Sequence, residues 1–230
     1  MLTLGIETST NVTSVAILDD DVVLAEQNLS SDNVRHAQTL VHDLNELLEQ
    51  HQLQLSDCKR VAVSMGPGSF TGLRIGLVFA KTLSYINQCE LVPVDTLLAI
   101  AANSPDDVSR VHSVVDAQRG DLYVATFDRI SANKWKRAGD VRIVAATGWM
   151  DELTKEDVIS GPGLQRYQEL ISEHARVLDQ NFWTPRAAIV ARLDTEQAAL
   201  TRFEDLAALE PFYLRKSAAE ENWARKQATR

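Results

Sequence analysis

The stretch Gly66-Pro67-Gly68-Ser69-Phe70-Thr71-Gly72-Leu73-Arg74-Ile75-Gly76 restricts this chain more than any other. Before it, Val61-Ala62-Val63-Ser64-Met65 is short, apolar and β-branched, the pattern of a buried strand. After it an apolar run continues through Tyr85 and reads as a helix to about Asn87. Strand, glycine-proline loop and helix in that order predict a corner, with Ser69 or Thr71 able to cap the helix. Leu73, Ile75, Leu77, Val78, Phe79 and Leu83 leave the helix apolar nearly all round, so burial is expected on more than one side. Gly72, Gly76 and Ala80 recur every four residues on one face. A helical glycine costs about 1 kcal/mol relative to alanine, so the pair implies that another backbone comes close. That backbone belongs either to the same fold or to another subunit, and periodicity does not separate the two.

A chain of 230 residues suits one large domain or two small lobes, either with a real core. The 45% hydrophobic and 24% charged content is ordinary for a soluble protein. A net charge of −9 argues against this chain alone gripping a phosphate backbone. Cys58 and Cys89 form no CxxC pair, which fits a reducing cytosol. The first residues are too short and polar a run for a signal peptide, and no segment approaches a membrane span. A cytoplasmic protein without a membrane partner is the expectation.

Leu2–Ile6, Val12–Leu18 and Val22–Asn28 read as three strands, the last two joined at Asp19-Asp20-Asp21. An amphipathic helix follows from Val34 to about Gln50, then the corner, a strand at Leu91–Val94 and a helix at Leu97–Ala102 capped by Asp95 or Thr96. Ser104-Pro105-Asp106-Asp107 marks a boundary. Beyond it the order restarts: strands at Val111–Val115, Leu122–Phe127 and Trp135–Val144, a helix near Trp149–Leu153, a strand at Val158-Ile159, then Gly161-Pro162-Gly163 and a helix at Leu164–His174. Thr184–Leu209 reads as helical, Pro211–Arg215 as extended, and Ser217–Arg230 as a solvated helix or frayed end. The expected fold is α/β with two similar lobes, each a mixed sheet in the order βββαβα flanked by helices. Residues 1–104 and 105–209 form the lobes, and 210–230 the tail.

Chemistry is sparse. The turn Glu7-Thr8-Ser9-Thr10-Asn11 offers hydroxyls, so Ser9 and Thr10 are candidate phosphate contacts, although such turns are usually only hydrogen-bonded turns. The Gly66–Gly72 loop lacks the lysine and spacing of GxxxxGK[ST]. His36 and His42 are six residues apart and point to different helix faces, and no HxxxH or His/Cys cluster occurs, so no metal is expected. No serine sits in a GxSxG elbow. Asp116-Ala117-Gln118-Arg119-Gly120-Asp121 reads as a polar hairpin turn. No catalytic residue and no cofactor are assigned.

With these residues in view, the chain resembles the TsaB (YeaZ) family of threonylcarbamoyladenosine biosynthesis in tRNA. The resemblance is carried by Gly5-Ile6-Glu7-Thr8-Ser9-Thr10, Arg35-His36-Ala37-Gln38, Gly66 to Gly76, Asp116 to Gly120 and Pro211-Phe212-Tyr213-Leu214-Arg215, in family order over nearly the whole chain. Glu7 and Gln118 stand where the family pattern has Asp and Arg. The resemblance implies two lobes of the actin, Hsp70 and sugar-kinase type. Where nucleotide-binding relatives have a glycine in the first turn, this chain has Ser9. The metal-binding HxxxH of the catalytic sister subunit, TsaD, falls at Thr96 and Ile100. These correspondences imply a non-catalytic scaffold, pairing with TsaD and the ATPase TsaE, as a homodimer when alone, and reaching tRNA only through the complex. The partner interface expected is the Gly66–Tyr85 helix, with Gly72, Gly76 and Ala80 allowing close approach and Phe70, Leu73 and Leu77 supplying apolar contact. The alternative is an active ATP- or metal-dependent transferase or peptidase of the same fold.

Overall fold

Alternating apolar residues and a tight acidic turn make the first three strands an antiparallel meander. The structure, a computed structural model, describes residues 1–29, 36–193 and 198–215. The strands are β1 (Leu2–Glu7), β2 (Ser14–Asp19) and β3 (Val22–Asn28), followed by helix α1 (His36–Gln50). Then come β4 (Arg60–Ser64), α2 (Phe70–Asn87), β5 (Glu90–Val94) and α3 (Thr96–Ala102). The sheet order is β3-β2-β1-β4-β5. β1 pairs antiparallel with β2 and parallel with β4, and β4 pairs parallel with β5. Leu4, Ile6, Val61 and Val63 of the central strands are buried under α1 and α2, which contribute Leu40, Leu44, Leu77 and Ala80. Each such leucine contributes about 2 kcal/mol by leaving water.

The second half contains β6 (Arg110–Gln118), β7 (Asp121–Ser131), β8 (Lys134–Arg137), β9 (Arg142–Ala145), α4 (Ala146–Trp149), β10 (Val158–Ser160), α5 (Leu164–Ser172) and β11 (Arg176–Val177). Its sheet order, β11-β10-β6-β7-β8, reproduces the first strand for strand when β6 is laid on β1. The pairing senses match as well: antiparallel from β6 through β7 to β8, and parallel from β6 through β10 to β11. Each Gly-Pro-Gly therefore stands at the same place, after the parallel strand next to the centre and before a helix. The two lobes of mixed sheet are present as the repeated order predicts.

Several expectations need correction. Trp135–Val144 is two strands, because the chain leaves β7 at Ala138 and turns through Gly139 at φ +89 before β9 pairs with the other end of β7. The helix near Trp149 is α4 continued by a 3₁₀ turn at Met150–Glu152. Thr184–Leu209 is not one helix. It contains α6 (Ala187–Arg192), a bridge from Leu200 to Leu91 and α7 (Phe203–Ala208). These pieces do not stay in the second lobe. Ala187 and Ala188 pack on Ala16 and Leu18 of the first sheet, and Leu206 joins the first core. Gly5 permits this, since a Cβ there would lie 2.1 Å from the Ala187 carbonyl oxygen. Conversely, Leu97 and Ile100 of α3 belong to the core of the second lobe. The helical start at Val34, Arg35 and the expectation for Ser217–Arg230 fall outside the described residues.

Candidate functional site

The corner after β4 holds the expected geometry. Ser69 caps α2, its Oγ accepting from the Gly72 N–H at 3.2 Å, and Gly66 sits at φ +107. Asp95 does the same for α3, accepting from the Leu97 N–H at 2.8 Å. The backbone that comes close to the notched face of α2 is the chain's own first turn. A Cβ on Gly72 would lie 2.0 Å from the Thr8 carbonyl oxygen, and one on Gly76 would lie 2.1 Å from Thr8 Oγ1. Gly68 presses on Ser9 in the same way, and Ser69 N–H donates to the Ser9 carbonyl at 2.7 Å.

The proposed contact residues therefore divide. Gly72, Leu73, Gly76, Leu77 and Ala80 are all buried inside the protomer. None is available as a free face, which corrects the expectation that the notch receives a partner. Phe70 is half-exposed and faces the other way, its ring centroid 4.9 Å from that of Tyr213. What α2 leaves in solvent is a different stripe: Thr71, Arg74, Val78, Thr82, Tyr85 and Ile86. Val78 is 63% exposed, Tyr85 61% and Ile86 68%, and Phe203 of α7 stacks beside Tyr85 at 5.4 Å. Sequence periodicity missed this stripe because a helix apolar all round does not declare which face is covered.

The first turn has its polar groups directed inward. Ser9 N–H and Ser9 Oγ both donate to Glu7 Oε1, at 2.6 and 2.5 Å. Thr8 N–H reaches Ser64 Oγ at 3.5 Å, and Val12 N–H donates to Thr10 Oγ1 at 3.2 Å. Burial pushes the Glu7 carboxyl up to about 7, and the hydrogen bonds from Ser9 and Ser64 offset only part of that. Ser9 is buried and Thr10 half-buried, and both lie on the lining of the cleft between the lobes.

That cleft encloses about 1210 Å³. It is lined by equivalent pieces of both lobes: the first turn and the α2 corner from one, the Asp116–Arg119 turn and the Pro162–Arg166 corner from the other. Gln118 and Arg119 are left-handed, at φ 64 and 57, and Asp116 Oδ1 accepts from the Gln118 N–H at 2.6 Å. The segment Phe212–Arg215 crosses from lobe to lobe at the rim. Phe212 N–H donates to the Met65 carbonyl at 2.7 Å, Tyr213 Oη accepts from Arg74 Nε at 2.9 Å, and Arg215 binds the Ala117 carbonyl at 2.8 Å and pairs with Asp121.

As for metal ligands, His42, Asp43 and Glu46 bring ligand atoms within 4.8 Å of one another on α1, the one such group among the described residues. His112 is engaged elsewhere, by Thr126 Oγ1 at 2.8 Å and Asp157 Oδ1 at 3.0 Å. No helix among the described residues is long and apolar enough to cross a membrane.

Two lobes of repeated topology, with matching corners facing one cleft, define the class of fold shared by actin, Hsp70 and the sugar kinases. The chain matches the family described as TsaD, tRNA N6-adenosine threonylcarbamoyltransferase, over residues 33–223. It is 28% identical to the tRNA threonylcarbamoyladenosine biosynthesis protein TsaB of Bacillus subtilis over 99% of this chain and 100% of that one. The Escherichia coli protein of the same name is also 28% identical, over 95% of this chain and 96% of its own. A transferase from Fusobacterium nucleatum is 31% identical over 109 residues, 41% of this chain and 32% of that one. The structure of YeaZ from Pseudomonas aeruginosa shares the fold, with a TM-score of 0.75 and 24% identity over 93% of this chain and 99% of that one. The chain belongs to this family, on its TsaB (YeaZ) branch.

Proposed function

We propose that this protein is a non-catalytic subunit of tRNA threonylcarbamoyladenosine synthesis, pairing with a TsaD-like catalytic sister and serving a TsaE-like ATPase. The observation that carries the reading is the state of the two positions corresponding to the sister's metal-binding histidines. Thr96 and Ile100 are both fully buried, Thr96 Oγ1 accepting from the Gly66 N–H at 3.1 Å and Ile100 lying in the second core. Ile100 has no atom that could ligate a metal, and the Thr96 hydroxyl is buried and already hydrogen-bonded. The inward-turned first turn supports the same reading, since its Thr8, Ser9 and Val12 amides already have acceptors.

Pairing is assigned to the outer stripe of α2 rather than to its notch. Val78, Tyr85 and Ile86 form an exposed apolar patch with Phe203, of the kind that marks association. The partner is the catalytic sister. Part of a TsaD-type transferase resembles part of this chain, so related surfaces are available on both sides. A two-fold contact needs just such matching surfaces, and the same patch serves a homodimer when the sister is missing. Val78→Glu is expected to leave thermal stability unchanged while removing both self-association in sizing and capture of the TsaD-like subunit. Full pairing by that variant would sink the assignment. Calorimetry with ATP and Mg²⁺, followed by a turnover assay, tests the enzymatic alternative; hydrolysis by the isolated chain would favour it.

A further inference from the structure

The two cysteines of this chain are both free and both buried, and the fold sets them side by side. Cys58 closes a 3₁₀ turn at Leu55–Asp57 and leads into β4; Cys89 follows α2 and leads into β5. β4 and β5 are neighbours in the parallel ladder, Arg60 opposite Glu90, and the Glu90 N–H donates to the Lys59 carbonyl at 3.1 Å. The cysteines therefore stand diagonally across adjacent strands, and their thiols are in hydrogen-bond contact. Neighbouring strands run about 5 Å apart, within the roughly 4.4–6.8 Å between Cα atoms that a disulfide spans. Exposed Lys59 and Gln88 flank the pair where both strands begin, so the sulfurs lie just below the surface. The contact makes the two thiols unlike. The bond from Cys58 holds Cys89 below the usual thiol range in spite of burial, with help from the Lys59 ammonium; Cys58 is pushed up by the same bond and by burial.

We propose that Cys58 and Cys89 are an oxidative modification site, closed to a disulfide by a small peroxide, and that closure weakens pairing by shifting the last turn of α2. The second half of this rests on the pairing assigned to α2. The thiolate is the attacking form, which makes Cys89 the first to react. Its sulfur takes one oxygen of hydrogen peroxide, the O–O bond breaks, and the hydroxide released leaves as water with the proton that Cys89 gave up. Cys58 sulfur then attacks the Cys89 sulfenic acid; the S–O bond breaks, and the hydroxyl leaves as a second water with the Cys58 proton. The two sulfurs together lose two electrons and the peroxide gains them. A dithiol reverses the step by exchange. Such transient bridges are the kind met in reducing compartments. Cys89 is tied to the end of α2, its N–H donating to the Ser84 carbonyl at 3.1 Å and Ser84 Oγ donating to the Cys89 carbonyl at 2.5 Å. Tyr85 and Ile86, both exposed, belong to that turn, so drawing Cys89 towards Cys58 displaces the apolar patch.

The full reduced chain is treated with hydrogen peroxide, its remaining thiols are alkylated, and intact mass and peptide maps are read. A mass lower by two hydrogens, with the Cys58 and Cys89 peptides joined and then separated by dithiothreitol, is expected. Cys58→Ala should stay unbridged, its Cys89 trapped by dimedone as the sulfenic acid. Sedimentation and capture of the TsaD-like subunit then compare the bridged with the reduced protein, and weakening by about tenfold is expected, the size of losing one apolar anchor. Recovery of both thiols free after peroxide overturns the proposal, as does a cross-link between two chains in place of the one within a chain. Bridged protein that pairs as tightly as the reduced form overturns the switch. Val78→Glu is run beside it: if that variant also pairs fully, the pairing surface is what was misassigned, and the disulfide itself is judged by the peptide map alone.

Discussion

Glu7 is the residue whose surroundings are most at odds with its charge. It ends β1 in full burial, and one carboxyl oxygen, Oε2, has no partner among the described residues. Its folded value of about 7 lies above the ordinary 4.5, so between those limits the unfolded chain releases a proton that the folded chain keeps. Stability is therefore whole below pH 4.5, falls as pH rises towards 7 and is level above it, a loss of about 3 kcal/mol at most. Glu7→Gln keeps an acceptor for Ser9 and is expected to abolish that slope, which denaturant titrations at several pH values would reveal. The glycines at 72 and 76 give a second prediction. Because Thr8 occupies their missing side chains, Gly72→Ala should cost about 3 kcal/mol through overpacking, and Gly76→Leu should unfold the protomer rather than merely separate it from partners. A monomeric, fully stable Gly76→Leu protein on calorimetry would return the notch to the interface.

At the scale of the element, α2 has two unlike faces. One is sealed against β4 and the first turn by Leu73, Leu77 and Ala80; the other carries Val78, Tyr85 and Ile86 into solvent. A charge placed on the outer face meets water in the monomer and apolar surface in a complex, so the cost falls on association alone. Tyr85→Ala should weaken self-association by about 2 kcal/mol in sedimentation, with unfolding transitions coincident with wild type. The same helix shows why pattern reading reached the element but not which of its faces is covered. Apolar residues recur on every side of it among a few polar ones, and four-residue spacing marks a close neighbour without saying which one.

For the whole molecule, the connection between lobes matters most. α6 lies on the first sheet, α3 lies in the second core, and Phe212–Arg215 ties Met65 and Arg74 to Ala117 and Asp121. The lobes are thus interleaved by chain that leaves one and returns to the other. Arg215→Ala removes a charge-assisted bond worth about 2 kcal/mol, and faster hydrogen exchange is expected in the Asp116–Asp121 turn, with the cores of both sheets unchanged. Exchange in that turn equal to wild type would mean that the crossing segment does not fasten the cleft.

Local chemistry alone was enough for the strand-corner-helix unit, for narrowing each helix cap to two residues (Ser69 or Thr71, Asp95 or Thr96) and for an order of elements that runs twice. Each depends on neighbours a few residues apart: a missing Cβ, an oxygen near a free N–H, apolar groups at a fixed period. Glu7 as a buried acid and Thr8 as the occupant of the glycine notch were not legible there, nor was the return of α6 to the first sheet. Those facts join residues such as Gly5 with Ala187 and Arg215 with Asp121, whose proximity arises only when two sheets are closed around a cleft. Burial and electrostatic environment are properties of that closure, so tertiary structure alone decided them.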